Sequence, residues 1–187
     1  MAQGSWGAYI QPVPDEWIRQ WGDPTLRTAA APVARIDEVL LAQVRRMKRR
    51  LLEEEGAGLA GTQVGFMRRV FVYRASVDSE VQALVNPSVV AASCERAMFL
   101  EGCLSYRAVS VLVERPAAVR VVGEGLDGGE RVLDVEGYEA SLLQHEIDHL
   151  DGILTLDRAA PAERKRAIGV LMERSQPLPG IAIAGTL

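Results

Sequence analysis

This chain contains two histidines, and they stand four residues apart in Gln144-His145-Glu146-Ile147-Asp148-His149. On a helix, positions i and i+4 share a face, so both imidazoles can reach one metal ion. Between them, Glu146 can turn toward water at that ion and take its proton. The pattern points to a metallohydrolase.

A catalytic site of this type needs three protein ligands and one open position. With both histidines used, the third ligand must be a carboxylate or a thiolate. The metzincin extension fails, because Thr155 stands where a third histidine is required. Glu163 and Glu173 lie downstream and keep a thermolysin-like peptidase open. Cys103, in Glu101-Gly102-Cys103-Leu104-Ser105, is the other candidate. A thiolate is a strong ligand, and Gly102 lets the backbone approach closely. A lone cysteine is also a good small core residue. A non-catalytic module stapled by a metal would use the same ligands.

These residues need elements to hold them. Tyr138 to Leu150 reads as the helix carrying both histidines, entered after Gly137 and ended by Asp151-Gly152. Asp37 to Glu55 reads as an amphipathic helix with Asp37 as N-cap and apolar residues at Leu40, Val44, Met47 and Leu51. Short β-type runs follow at Val70–Tyr73, Ala83–Pro87, Val109–Val113 and Val119–Val122. Pro87 limits its run to a sheet edge or a strand end. Asp127-Gly128-Gly129 turns the chain into Arg131–Val135 as a hairpin. Pro161 suits the first position of a last helix through Arg174. Residues 1–18 read as a loose arm and 175–187 as an extended or mobile tail. The order is that of an α+β domain over 19–174, with antiparallel sheets around a central helix bearing the histidines.

A length of 187 residues argues for one core. With 48% apolar and 25% charged residues and a net charge of −4, the composition gives no basic footprint for nucleic acid and no polybasic membrane anchor. No stretch is long and apolar enough to predict a membrane span, and no secretory signal is visible. The expected place is the cytoplasm, where Cys94 and Cys103 stay reduced. Cys94 lacks the flanking glycine and glutamate of Cys103 and reads as core.

Three segments together resemble a family. Gly56-Ala57-Gly58-Leu59-Ala60-Gly61-Thr62-Gln63, Glu101-Gly102-Cys103-Leu104-Ser105 and Gln144-His145-Glu146-Ile147-Asp148-His149 are similar, in order and separation, to the three motifs of peptide deformylases. Asp23-Pro24-Thr25-Leu26-Arg27 and Asp151-Gly152 extend the resemblance to about residues 18–173. It implies removal of the N-formyl group from formyl-methionyl peptides, including nascent chains at the ribosome. It implies Cys103, His145 and His149 as metal ligands and Glu146 as general base and later acid. It implies the Gln63 amide and the Leu104 backbone N–H as the oxyanion hole. Ala57, Gly58 and Gly102 would hold the substrate main chain, with Tyr138 and Leu142 lining the methionine pocket. The implied cofactor is one divalent ion, Fe²⁺ in the cell, with Zn²⁺, Ni²⁺ or Co²⁺ possible in purified protein.

The chain also departs from the family pattern. Gly61 and Thr62 stand where alanine and proline are common. Tyr106-Arg107 replaces a small apolar residue and proline. Ser110 lies near the place of a usual arginine. These departures bear on substrate range rather than on the chemistry.

Overall fold

The structure is a computed structural model, and it describes residues 18–175. The arm and tail read from the sequence fall outside these residues, apart from Ile18 and Ser175.

Helix α1 (Glu38–Glu53) starts as its sequence predicts, with the Asp37 carboxylate accepting from the Leu40 N–H at 2.8 Å. Its apolar stripe, Leu40, Val44, Met47 and Leu51, is fully buried. Five strands form one antiparallel sheet in the order β1 (Gly58–Ala60), β2 (Val70–Tyr73), β3 (Gln82–Ala92), β6 (Ala118–Glu124) and β7 (Glu130–Glu136). Strands β4 (Arg96–Gly102) and β5 (Ser110–Pro116) form a separate antiparallel pair.

The larger sheet is covered on both faces, and β2 shows how. Val70 and Val72 point to α1, while Phe71 and Tyr73 point to helix α2 (Gly137–Leu150). All four are buried, so this strand reads as a continuous apolar run rather than an alternating one. Helix α2 follows β7 with no loop between them. Eleven consecutive residues, Ala140 to Leu150, are buried among the larger sheet, the β4–β5 pair and the tight turn Gly61–Val64 after β1. A third apolar cluster joins β5 to a short helical turn, α3 (Thr155–Arg158), and to α4 (Pro161–Ser175).

Three sequence expectations change. Pro87 does not mark an edge: β3 runs past it between β2 and β6. A bulge between Val85 and Ser88 absorbs it, with Asn86 at φ 49°. The Asn86 side chain accepts from Val33 N–H at 2.8 Å and donates to Val33 O at 2.9 Å. Cys94 is exposed rather than core, because it lies in the turn between β3 and β4. Strand β4 itself went unpredicted, since Met98 and Leu100 stay exposed along it.

Candidate metal centre

Three elements converge on one point. Cys103 follows the last paired residues of the β4–β5 ladder, Gly102 and Ser110. His145, Glu146 and His149 come from α2. Gln63 comes from the tight turn Gly61–Val64 after β1. One ligand atom each from Cys103, His145 and His149 lie within 4.8 Å of one another, and all three residues are buried. Cys103 Sγ is 3.2 Å from His149 Nε2. Among the described residues this is the one such group. Glu163 pairs with Arg166 on α4, and Glu173 is exposed on the same helix, so neither joins it.

A second layer fixes the imidazole of His145. Its Nδ1 lies 3.0 Å from Glu101 Oε2 and 3.2 Å from Thr155 Oγ1, which leaves Nε2 for the thiol side. Glu101 is itself held by Arg115 Nε at 2.5 Å and by Ser141 Oγ at 2.8 Å. Arg115 also reaches Asp148 at 2.8 Å, and Arg158 closes on the other oxygen of Asp148 at 2.6 Å. Burial pushes the Glu101 carboxyl up, but hydrogen bonds from Arg115 and His145 outweigh it and hold it at about 2.

The thiol of Cys103 and the carboxyl of Glu146 are shifted in opposite directions. Burial raises Cys103, yet the imidazoles of His149 and His145 more than offset this and bring it well below the ordinary thiol range. The thiolate is the ligating form. Burial raises Glu146 to about 7, opposed only in part by the two histidines. Its Oε2 is buried without a hydrogen-bond partner among the described residues. A buried carboxylate oxygen left free beside three soft or borderline donors fits a divalent cation with water at its open position.

Gln63 is oriented at both ends. Its Oε1 accepts from Ala60 N–H at 2.8 Å, and its Nε2 faces Ser105 Oγ at 3.2 Å and Cys103 Sγ at 3.5 Å. Ala57, Gly58, Gln63, Gly102, Cys103, Leu104, Tyr138, Leu142, His145 and Glu146 all border one cleft of about 520 Å³. Gly58 has no room for a side chain there, since a Cβ would lie 2.6 Å from Glu146 Cδ.

The family model described as polypeptide deformylase matches residues 15–165. This chain belongs to the peptide deformylase family. The peptide deformylase of Thermotoga neapolitana is 40% identical over 147 residues, covering 79% of this chain and 88% of that protein. The peptide deformylase of Treponema pallidum is 42% identical over 147 residues, covering 79% and 90%. Among solved structures, a Synechococcus elongatus peptide deformylase in complex with actinonin matches with a TM-score of 0.80 at 31% identity, over 90% of this chain and 92% of that one. The α+β fold of antiparallel sheets and helices is that of the peptide deformylases.

The sequence reading did not assign the support around His145. Arg115 carried a usable signal: on β5 it takes the same inward phase as Val111 and Val113. A charge on a buried face needs partners, and Glu101 and Asp148 supply them. Tyr106, read as a departure, is buried, and its hydroxyl accepts from Thr155 N–H at 3.1 Å.

Proposed function

We infer that this chain is a metal-dependent hydrolase that removes the formyl group from N-formylmethionyl peptides and releases formate. The observation that carries this is Cys103, His145 and His149 converging beside the buried, unpartnered carboxylate of Glu146.

Cys103, His145 and His149 hold one divalent ion, for which we propose Fe²⁺ in the cell. When bound, it supplies Lewis-acid activation of water and of the formamide carbonyl. Glu146 takes the proton of the attacking water and returns it to the departing amine. A buried carboxylate oxygen with no protein partner is free to face that water. Gln63 Nε2 and the Leu104 N–H donate to the developing oxyanion, each donor worth about 3–4 kcal/mol.

Among the described residues strand β1 pairs with β2 alone, and its other edge takes the substrate strand. The peptide backbone lies beside Ala57, Gly58 and Gly102, with its first side chain against Tyr138 and Leu142. Residues 19–174 form the catalytic unit. The site of action is the cytoplasm, on nascent chains at the ribosome. No helix of the described residues is long and apolar enough to cross a membrane. Tyr106-Arg107 and Ser110 shift the preference among formylated substrates.

The test is formate release from a formyl-Met peptide by anaerobically purified protein, with metal measured on the same sample. Glu146→Gln should keep its ion and lose at least about 10²-fold in kcat. Unchanged turnover in that variant would overturn the reading.

A further inference from the structure

The cleft carries an uneven charge. Four of its lining side chains are ionisable acids or bases of the metal site or its support: Glu101, Cys103, His145 and Glu146. All four are buried. Met98, Leu100, Ser110 and Tyr138 on the same lining are exposed and uncharged. Arg107 also lines the cleft, and its side chain is 52% exposed. Among the described residues it is the one exposed charge on the lining.

Arg107 is positioned rather than free. Its Nη2 contacts Glu54 Oε2, while Glu54 Oε1 takes Arg50 Nη2 at 2.5 Å. One carboxylate thus serves two guanidinium groups, and Arg50 also faces Glu53 at 3.4 Å. The contact uses one guanidinium nitrogen of Arg107 and leaves donors for a second partner. Behind the same segment, Arg74 is buried against the carbonyls of Gly56 at 2.8 Å and Val77 at 3.1 Å. It has no carboxylate within ion-pair distance among the described residues, so its charge adds to that of Arg107. On the Gly56–Ala57 side, Arg107 thus lines the cleft and Arg74 lies behind it, with Glu54 between Arg107 and Arg50.

We propose that Arg107 is a specificity-determining residue that favours formyl peptides bearing a carboxylate downstream of the formylated residue, as an acidic side chain or a free C-terminus. This rests on the deformylase reading above and adds the substrate class. A guanidinium with spare donors matches a carboxylate in shape as well as charge.

The test compares kcat/KM for formyl-Met-Ala-Asp-amide, formyl-Met-Ala-Lys-amide and formyl-Met-Ala-Ala with free and amidated ends. The starting protein should favour the acidic over the basic peptide by about 3–5-fold at low salt, as a solvent-exposed ion pair allows. The preference should shrink with added salt. Arg107→Glu should invert the ratio, and Arg107→Lys should keep its sign with a smaller size. If formate is released but the ratio is near one, or Arg107→Glu leaves it unmoved, the specificity inference is wrong and the deformylase reading stands. If metal-loaded protein releases no formate from any of these peptides, both fall. Selectivity for the free-ended peptide alone would assign the C-terminus as the recognised carboxylate, and selectivity for Asp in the amidated series would assign the side chain.

Discussion

The carboxylate of Glu146 occupies the space that a side chain on Gly58 would need. With a Cβ on residue 58, Glu146 Cδ would lie only 2.6 Å away. An edge-strand residue is thereby tied to the position of the proposed base. Gly58→Ala should displace that carboxylate while leaving Cys103, His145 and His149 in place. The expected result is a drop in kcat of about 10²-fold or more with the metal content unchanged. Normal turnover in Gly58→Ala would show that the base tolerates displacement.

Cys103→Ala removes the sulfur donor and leaves two imidazoles. Bound metal should fall well below one per chain, and activity should fall with it. Glu101→Gln keeps all three ligands but weakens the grip on His145, so the affinity should drop by about 10–100-fold. Competition with a graded series of chelators measures both. Full occupancy in Cys103→Ala would return the third-ligand role to a carboxylate.

Arg115 bridges the buried carboxylates of Glu101 and Asp148. Arg115→Ala would strand charge in the interior, with an expected cost of about 3–5 kcal/mol in urea unfolding. A loss under 1 kcal/mol would mean that solvent or rearrangement relieves the two acids.

The same contacts set a dependence on acid. The folded Glu101 carboxyl sits at about 2, against an ordinary 4.5. A depressed carboxyl stabilises the fold wherever it is ionised in both states, so its contribution is complete above about 4.5 and fades as pH falls toward 2. For metal-free protein, unfolding free energy should decline across that window, and the decline should be shallower in Glu101→Gln. Parallel curves for the two proteins would remove Glu101 as the cause.

Asn86 combines a left-handed backbone with two hydrogen bonds to Val33. Asn86→Ala should lose about 2–3 kcal/mol from both effects. Asn86→Gly, which relieves the backbone but not the bonds, should lose less. Equal losses would mean that the left-handed backbone contributes nothing measurable.

The sequence announces the ligand helix because its chemistry is local: two histidines and a glutamate at helical spacing within one segment. Asp37 and the Leu40–Leu51 stripe are legible for the same reason. Non-local features are not. Strand β4 hides because its exposed face carries Met98 and Leu100, which erases the alternation. Pro87 misleads because a bulge depends on the register of two neighbouring strands. The hold on His145 spans Glu101, Arg115 and Thr155 on three separate elements, and no window of sequence contains it.

Helix α2 is enclosed along eleven successive residues, and two of the three proposed ligands lie within that stretch together with the proposed base. Small excursions of the chain that expose a surface loop would leave these amides protected. Backbone protons of residues 143–149 should therefore exchange with deuterated water only through opening of the whole molecule. The residues nearest the chemistry would be the last to let solvent reach their backbone.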